Sequence, residues 1–455
     1  MSISIFIFRR DLRIYDNTGL YEACKKSKKV LPIFIFTKEQ LIDNPYKSDN
    51  CVQFMMSCLD LLDKNLKKLN SRLFYFFGDP IDILKNILKE LKYDTIYVNE
   101  DYTPYSIERD NKIDKFCKKN NIKFISSEDI LLNPIGSTRG KNGKISNKFG
   151  VYFSEASKIK VNEPENYKIN NLIKSNFKLS LEFKGNKNKF YKNNPNIDSL
   201  ADPNILDNIE NFDTYDKNRD YLTYETTHLS AYIKFGQVSI REVYYEFIKM
   251  GKNSDLVKQL YWRDLFYNIG YDYNQVFDKY SNARSRYDDL DWEDNDEYFE
   301  NWCNGTTGFP AVDAGMRQLN ITGFMHNRAR LITAGFLTKV LLNNWKRGEM
   351  YFAKNLIDYD PCVNNGNWEW CSSTGIIAQQ PHYIFSPWEQ SKKHDPDCEY
   401  IKKWIPELED VKIKDIHNWN NSYKKYPDID YPKPIVDYKE QKIKAKNMFK
   451  KVLAN

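Results

Sequence analysis

The chain has 455 residues, too many for one small domain and enough for two or three packed units. Hydrophobic residues make up 41%, which excludes wholesale disorder, and the net charge of +6 from 68 basic and 62 acidic residues suits an anionic partner without requiring one. The 8 Cys and 5 His show no CxxC pair and no zinc spacing, and no stretch reaches the length of a membrane span. These features predict a soluble, intracellular protein without a metal, in cytoplasm or nucleus. Aromatics at 15%, with 9 Trp, suggest stacking surfaces or a chromophore site beside ordinary packing.

Five short apolar or aromatic runs, at 3–8, 30–36, 73–77, 95–99 and 122–126, alternate with helical spacing at 17–28, 50–69, 82–91 and 106–119. In the second of these, Val52, Met55, Met56, Leu59, Leu62 and Leu66 recur about one turn apart. Strands that are apolar throughout belong to parallel sheets covered on both faces, so residues 1–135 read as a doubly wound α/β domain. No GxGxxG follows the first strand; Phe8-Arg9-Arg10-Asp11-Leu12-Arg13 stands there instead, against a Rossmann dinucleotide site. Residues 136–214 read as an interdomain linker lying across the surface, Asn/Lys-rich and without periodicity from about Asn162 to Asp213. Residues 215–455 return to long amphipathic helices, ending in a Lys-rich segment expected to be a solvated terminal helix.

Four segments carry possible chemistry. In Thr226-Thr227-His228-Leu229-Ser230, small hydroxyl residues next to a helix start offer donors to a phosphate, although a plain cap has the same composition. Gln259, Trp262, Arg263 and Phe266 share one helical face, putting an amide, a large π surface and a guanidinium on one stripe. Pro310 reads as a helix start, and Asn327, Arg330 and Leu331 lie together on a later helix. The run from Asp358 to Trp370 holds two carboxylates, an amide-rich turn and two Trp. Asp358 could pair with Arg330, while Trp368 and Trp370 point in different directions on a helix.

FRRDLR with Asp16-Asn17, TTHLSAYIKFG, YWRDLFY, TGFPAVDAGMRQL, MHNRAR and DYDPCVNNGNWEW occur in order across the chain. On these motifs the chain resembles the photolyase/cryptochrome family, and most of all the class I cyclobutane pyrimidine dimer photolyases. The resemblance implies an N-terminal α/β domain with room for an antenna pigment and an all-α C-terminal domain that binds FAD. By motif position, Tyr215, Thr226, Thr227, Leu229 and Ser230 would hold the flavin phosphates and ribityl chain. Arg263, Asn327, Arg330, Asp358, Asp360 and Asn364 would line the flavin and adenine, with Asn364 at the position facing flavin N5.

The implied activity is light-driven electron transfer from reduced FAD to a pyrimidine dimer flipped out of UV-damaged DNA. Trp262 and Trp370 would stack on the dimer, Gln259 would hydrogen-bond a thymine edge, and Arg328 would touch adjoining phosphates. Trp368, Trp345 and Trp292 occupy the positions of an electron-transfer chain, and the protein is expected to act as a monomer. Gln259 stands where many class I enzymes have Glu, and Tyr383 and Ser386 replace an Arg and an Asn. Leu331 takes the place of a catalytic His in six-four enzymes, which argues against that activity. The antenna pigment stays open among a folate, a deazaflavin, a second flavin and none. The rival reading is a cryptochrome-like blue-light photosensor without repair.

Overall fold

The computed structural model describes residues 2–140, 143–197, 201–251, 254–279 and 281–454. Strands β1 (Ile3–Phe8), β2 (Lys29–Phe36), β3 (Phe74–Phe77), β4 (Thr95–Asn99) and β5 (Lys123–Ser127) form one sheet in the order β3-β2-β1-β4-β5. Every pairing is parallel, with β1 registered on β2 from Ile3↔Lys29 to Phe8↔Phe34 and on β4 from Ser4↔Thr95 to Phe6↔Tyr97. The chain order reverses between β1 and β4, the topological switch of a doubly wound sheet. Ile5, Leu31, Ile33, Phe74, Phe76 and Ile96 are fully buried, which is why these strands carry no polar alternation.

The crossovers are α1 (Thr18–Lys26), α2 (Asp49–Lys68), α3 (Pro80–Glu90) and α4 (Pro104–Lys119). Each starts where a polar side chain satisfies a free amide: Asn17, Ser48, Asp79 and Thr103 accept from the first turns, and Pro leads α3 and α4. Gly19 lets α1 approach the sheet, since a Cβ there falls 2.6 Å from Asn99 Oδ1 and 3.0 Å from the Phe6 ring.

Two compact units divide the chain. The first comprises Met1–Glu210, His228–Asp272 and Ile357–Tyr359, and so adds α5 (Phe149–Ala156), α6 (Leu229–Phe235), α7 (Ile240–Ile248) and α8 (Asp255–Asp272) to the sheet. The FRRDLR motif knits this unit internally. Arg13 Nη2 meets Asp129 at 2.7 Å, while Arg241 of α7 meets both Asp16 and Asp129, at 2.8 and 2.9 Å. Burial alone raises the Asp129 carboxyl, but the two guanidiniums hold it down at about 2.

The Asn/Lys-rich stretch is more than the surface linker expected. Ile173 N donates to Val30 O at 2.8 Å, Leu172 bridges Val30, and Ile173 and Leu179 join the core of the sheet. The helix α5 lies earlier in the predicted linker and buries Tyr152.

The second unit comprises Asn211–Thr227, Tyr273–Leu356 and Asp360–Asn455. It is helical, with no strand among the described residues. Its main elements are α9 (Asp296–Asn304), α10 (Pro310–Thr322), α11 (Asn327–Lys339), α12 (Trp345–Asn355), α13 (Pro361–Ser372) and α14 (Tyr438–Ala454). Pro310 and Pro361 occupy first-turn positions, and Gly305 and Gly323 end α9 and α10 in the left-handed conformation. The terminal helix α14 is not wholly solvated: Gln441, Ala445, Met448 and Phe449 form a buried stripe on an otherwise Lys-rich helix.

Candidate functional site

In the first unit, α6 follows His228, which adopts the left-handed conformation (φ 52°) and offers no side-chain cap. The amides of that first turn therefore lack the side-chain acceptor that caps α1 to α4. Leu229 is buried, and Ser230 Oγ donates to Asp358 Oδ2 at 2.6 Å. Helix α8 carries Gln259, Trp262 and Arg263, all half-buried. Arg263 Nη1 donates to Ile130 O at 2.6 Å and the guanidinium lies over the Tyr267 ring. Next to it Asp264 is buried, accepts from Leu132 N and Asn133 N, and is pushed up to about 7 by that burial.

The Trp262 indole already has a neighbour that the sequence reading did not anticipate. Phe149 of α5 stacks on it at 4.0 Å with 3° between planes, and Phe266 lies at 5.6 Å. One face of the indole is thus covered within the first unit.

The second unit holds the remaining predicted residues. Tyr215, Thr226 and Thr227 are half-buried in its first segment, and Asn327 is exposed at the start of α11. Arg330 Nε donates to Met325 O at 2.8 Å. The expected pairing of Arg330 with Asp358 joins residues of different units and stays a proposal. Asp360 caps α13 by accepting from Cys362 N and Val363 N. Asn364 is buried, and its Nδ2 donates to Glu349 Oε1 at 3.0 Å and to Glu349 O at 3.2 Å. Glu349 therefore clamps the amide through its nitrogen end.

Trp368 is buried and Trp370 half-buried, as their two-residue offset on α13 predicts. Trp368 packs edge-on against Phe352 at 4.9 Å and Trp302 at 6.1 Å. Only a glycine fits opposite it: a Cβ on Gly348 falls 2.6 Å from Trp368 Cζ3 and 2.5 Å from Leu337 Cδ2. Trp345 is buried, donates from Nε1 to Asn282 Oδ1 at 2.7 Å, and carries Lys346 Nζ over its ring at 4.2 Å. Trp292 is half-buried.

Glu369 stands between the two Trp of the motif, buried, with Ala283 N donating to Oε1 at 2.6 Å. Burial pushes it up to about 7. Tyr383 is exposed, and its carbonyl accepts from the buried Lys339 at 3.0 Å. Arg328 Nη2 is held by Asp220 Oδ1 at 2.6 Å.

Glu349, Trp302, Asn282 and Asp220 are the partners that sequence reasoning missed. Each lies many residues from the side chain it serves, so no helical or strand period links them. The second unit carries the Thr226 and Thr227 hydroxyls, the Arg330 guanidinium and the anchored Asn364 amide, and the first carries Ser230 and Arg263, all donors of the kind a flavin dinucleotide takes. A cavity of about 390 Å³ in the first unit, lined by Tyr15, Asn65, Tyr167 and Glu242 among others, contains none of the predicted site residues. No cluster of His, Cys, Asp or Glu among the described residues could hold a metal ion, and no described helix is long and apolar enough to cross a membrane.

The model for a DNA photolyase domain matches residues 4–167, and that for the FAD binding domain of DNA photolyase matches residues 256–451. The chain is similar to the deoxyribodipyrimidine photo-lyases of Buchnera aphidicola, at 33% identity over 99% of this chain and 97% of the relative, and of Alkalihalophilus pseudofirmus, at 34% over 99% and 98%. Among solved structures it is similar to the photolyase of Sulfolobus tokodaii with two FAD molecules. That match has 40% identity and a TM-score of 0.88, covering 99% of this chain and 100% of the other. The class III photolyase of Agrobacterium tumefaciens matches at 26% identity and a TM-score of 0.90, over 100% and 98%. The chain belongs to the DNA photolyase family, and it is an FAD-binding enzyme of that family, whose members act on DNA.

Proposed function

We propose that this enzyme repairs cyclobutane pyrimidine dimers in DNA, as class I photolyases do, in a chain organised as an antenna-type domain (1–135), a linker (136–214) and a helical catalytic domain (215–455). The observation that carries the reading is Asn364: a neutral amide, held through its nitrogen by Glu349, occupies the position the family sets against the flavin ring. The FAD would supply a light-driven electron to the dimer. The protein's residues do the rest. Thr226, Thr227, Ser230 and the α6 amides take the phosphates and ribityl chain, while Tyr215, Leu229, Arg263, Asn327, Arg330, Asp358 and Asp360 line the cofactor. Trp262 and Trp370 stack on the extruded dimer, Gln259 donates to a thymine carbonyl, and Arg328 meets a backbone phosphate. Trp292, Trp345 and Trp368 pass electrons inward, because an indole tolerates transient oxidation.

The Sulfolobus tokodaii relative holds two FAD molecules, and we favour a second flavin over a folate or deazaflavin here. Arg9 and Arg109 support a phosphate-bearing pigment. They share Asp110, at 2.8 and 3.0 Å, and the second Nη of each is buried without a hydrogen-bond partner.

The substrate reading is tested by binding in the dark. Trp262→Ala and Trp370→Ala should each weaken affinity for dimer-containing DNA by about 1–3 kcal/mol, the worth of one base–aromatic stack, and keep the FAD. Unchanged affinity in both variants removes the proposed pocket.

A further inference from the structure

An ion pair in the second unit is left unexplained by the phosphate contact assigned to Arg328. Arg328, in the first turn of α11, has a side chain only 16% exposed, and its Nη2 donates to Asp220 at 2.6 Å. Asp220, in the loop after the short helix Tyr215–Asn218, is the outer partner, with its side chain 41% exposed. The pairing is incomplete. Arg328 Nε is buried without a hydrogen-bond partner, so the carboxylate engages one corner of a group that grips an anion best through two. Burial alone raises the Asp220 carboxyl, yet its hydrogen bond to Arg328 and the nearby Arg219 and His394 hold it below the usual range. Asp220 is therefore an anion at neutral pH, placed between a nearly buried guanidinium and solvent.

A guanidinium that deep is costly to leave unpaired, which accounts for a carboxylate beside it before DNA arrives. An approaching phosphate meets that carboxylate first, and like charges repel. We propose that Asp220 stands in for a DNA phosphate, neutralising Arg328 in the free protein and lowering affinity for DNA of any sequence until a backbone phosphate displaces it. The proposal rests on Arg328 as a phosphate contact. Phosphate contacts carry no information about damage, so weakening one leaves less of the enzyme on intact DNA and a larger share of binding to the dimer pocket.

The test titrates the full chain carrying its FAD, in the dark, with a duplex holding one thymine dimer and with the same duplex undamaged, over a range of salt. Asp220→Asn should bind both duplexes about tenfold more tightly. Arg328→Ala should flatten the plot of log affinity against log salt by about 0.9, the increment of one phosphate contact. Asp220→Glu, which keeps the charge, should stay near the parent, and Asp220→Asn should gain nothing when Arg328 is also Ala. Asp220→Ser gives a second neutral variant if the first folds poorly. Neutral variants that bind no tighter than the parent, while Arg328→Ala binds more weakly, would show that Asp220 only positions Arg328, and the proposal falls. Arg328→Ala with both affinities unchanged would remove the phosphate contact itself, and the proposal with it.

Discussion

Replacing Gly348 by Ala should damage stability and electron transfer together. Gly348 lies inside α12, where Ala for Gly ordinarily gains about 1 kcal/mol in helix propensity. Here the new Cβ falls 2.6 Å from Trp368 Cζ3 and 2.5 Å from Leu337 Cδ2, over an ångström inside ordinary contact. Neither neighbour has room to retreat: Trp368 is 2% exposed and wedged against Phe352 and Trp302, and Leu337 is fully buried. Forced overpacking of this kind costs about 1–3 kcal/mol, more if the backbone moves, so the helix gain is outweighed by up to about 2 kcal/mol. At about 2–4 °C per kcal/mol for a domain this size, the melting temperature should drop by a few degrees. Gly150, in α5, is the control, because a Cβ there meets nothing within 4 Å and Ala should be neutral or stabilising. The assay is thermal unfolding of the three proteins with photoreduction of bound FAD measured beside it. A Gly348→Ala protein that melts no lower than the parent and photoreduces normally would refute the packing argument.

Glu369→Gln should stabilise the protein in alkaline solution. Folded Glu369 stays protonated up to about 7, whereas the unfolded side chain ionises near its ordinary value, so the folded state binds more protons in between. Stability therefore falls as pH rises through that window; Gln keeps the acceptor for Ala283 N and has nothing to ionise, so the variant should gain up to about 3 kcal/mol above pH 7 and little near pH 4.5. Unfolding midpoints that move in parallel with pH in both proteins would contradict this. Gln259→Ala should lower repair yield at every pH, as a buried thymine oxygen loses a donor worth about 1–3 kcal/mol, and an unchanged yield would place Gln259 away from the dimer. Trp368→Phe should block photoreduction of oxidised FAD yet leave repair by chemically reduced enzyme intact; normal photoreduction would mean electrons enter elsewhere.

The sheet was legible because both its faces are buried: strands such as Ile3–Phe8 announce themselves by composition, without any partner being known. The crossover helices were legible through period and caps together. The segment around Leu172, Ile173 and Leu179 was not, because its few core residues stand singly among Lys and Asn with no period to connect them. The terminal helix failed for a related reason, its buried stripe of Ala445, Met448 and Phe449 being outnumbered by lysines.

At the candidate site, motif position nominates side chains but says nothing of what holds them. The clamp on Asn364 comes from Glu349 on another helix, the cover on Trp262 from Phe149 in the predicted linker, and the counter-ion of Arg328 from Asp220 more than one hundred positions earlier. Such partners are set by tertiary packing, which leaves no local spacing in a single sequence.

Light-driven repair is read as dimer content in DNA incubated with the reduced enzyme under near-UV or blue light and, in parallel, in darkness. Dimers should be lost and intact pyrimidines recovered in the light only, with binding but no repair in the dark. Dimers that persist under illumination, with enzyme saturated in reduced FAD and bound to the damaged duplex, would contradict light-driven repair and leave a light-sensing role as the alternative.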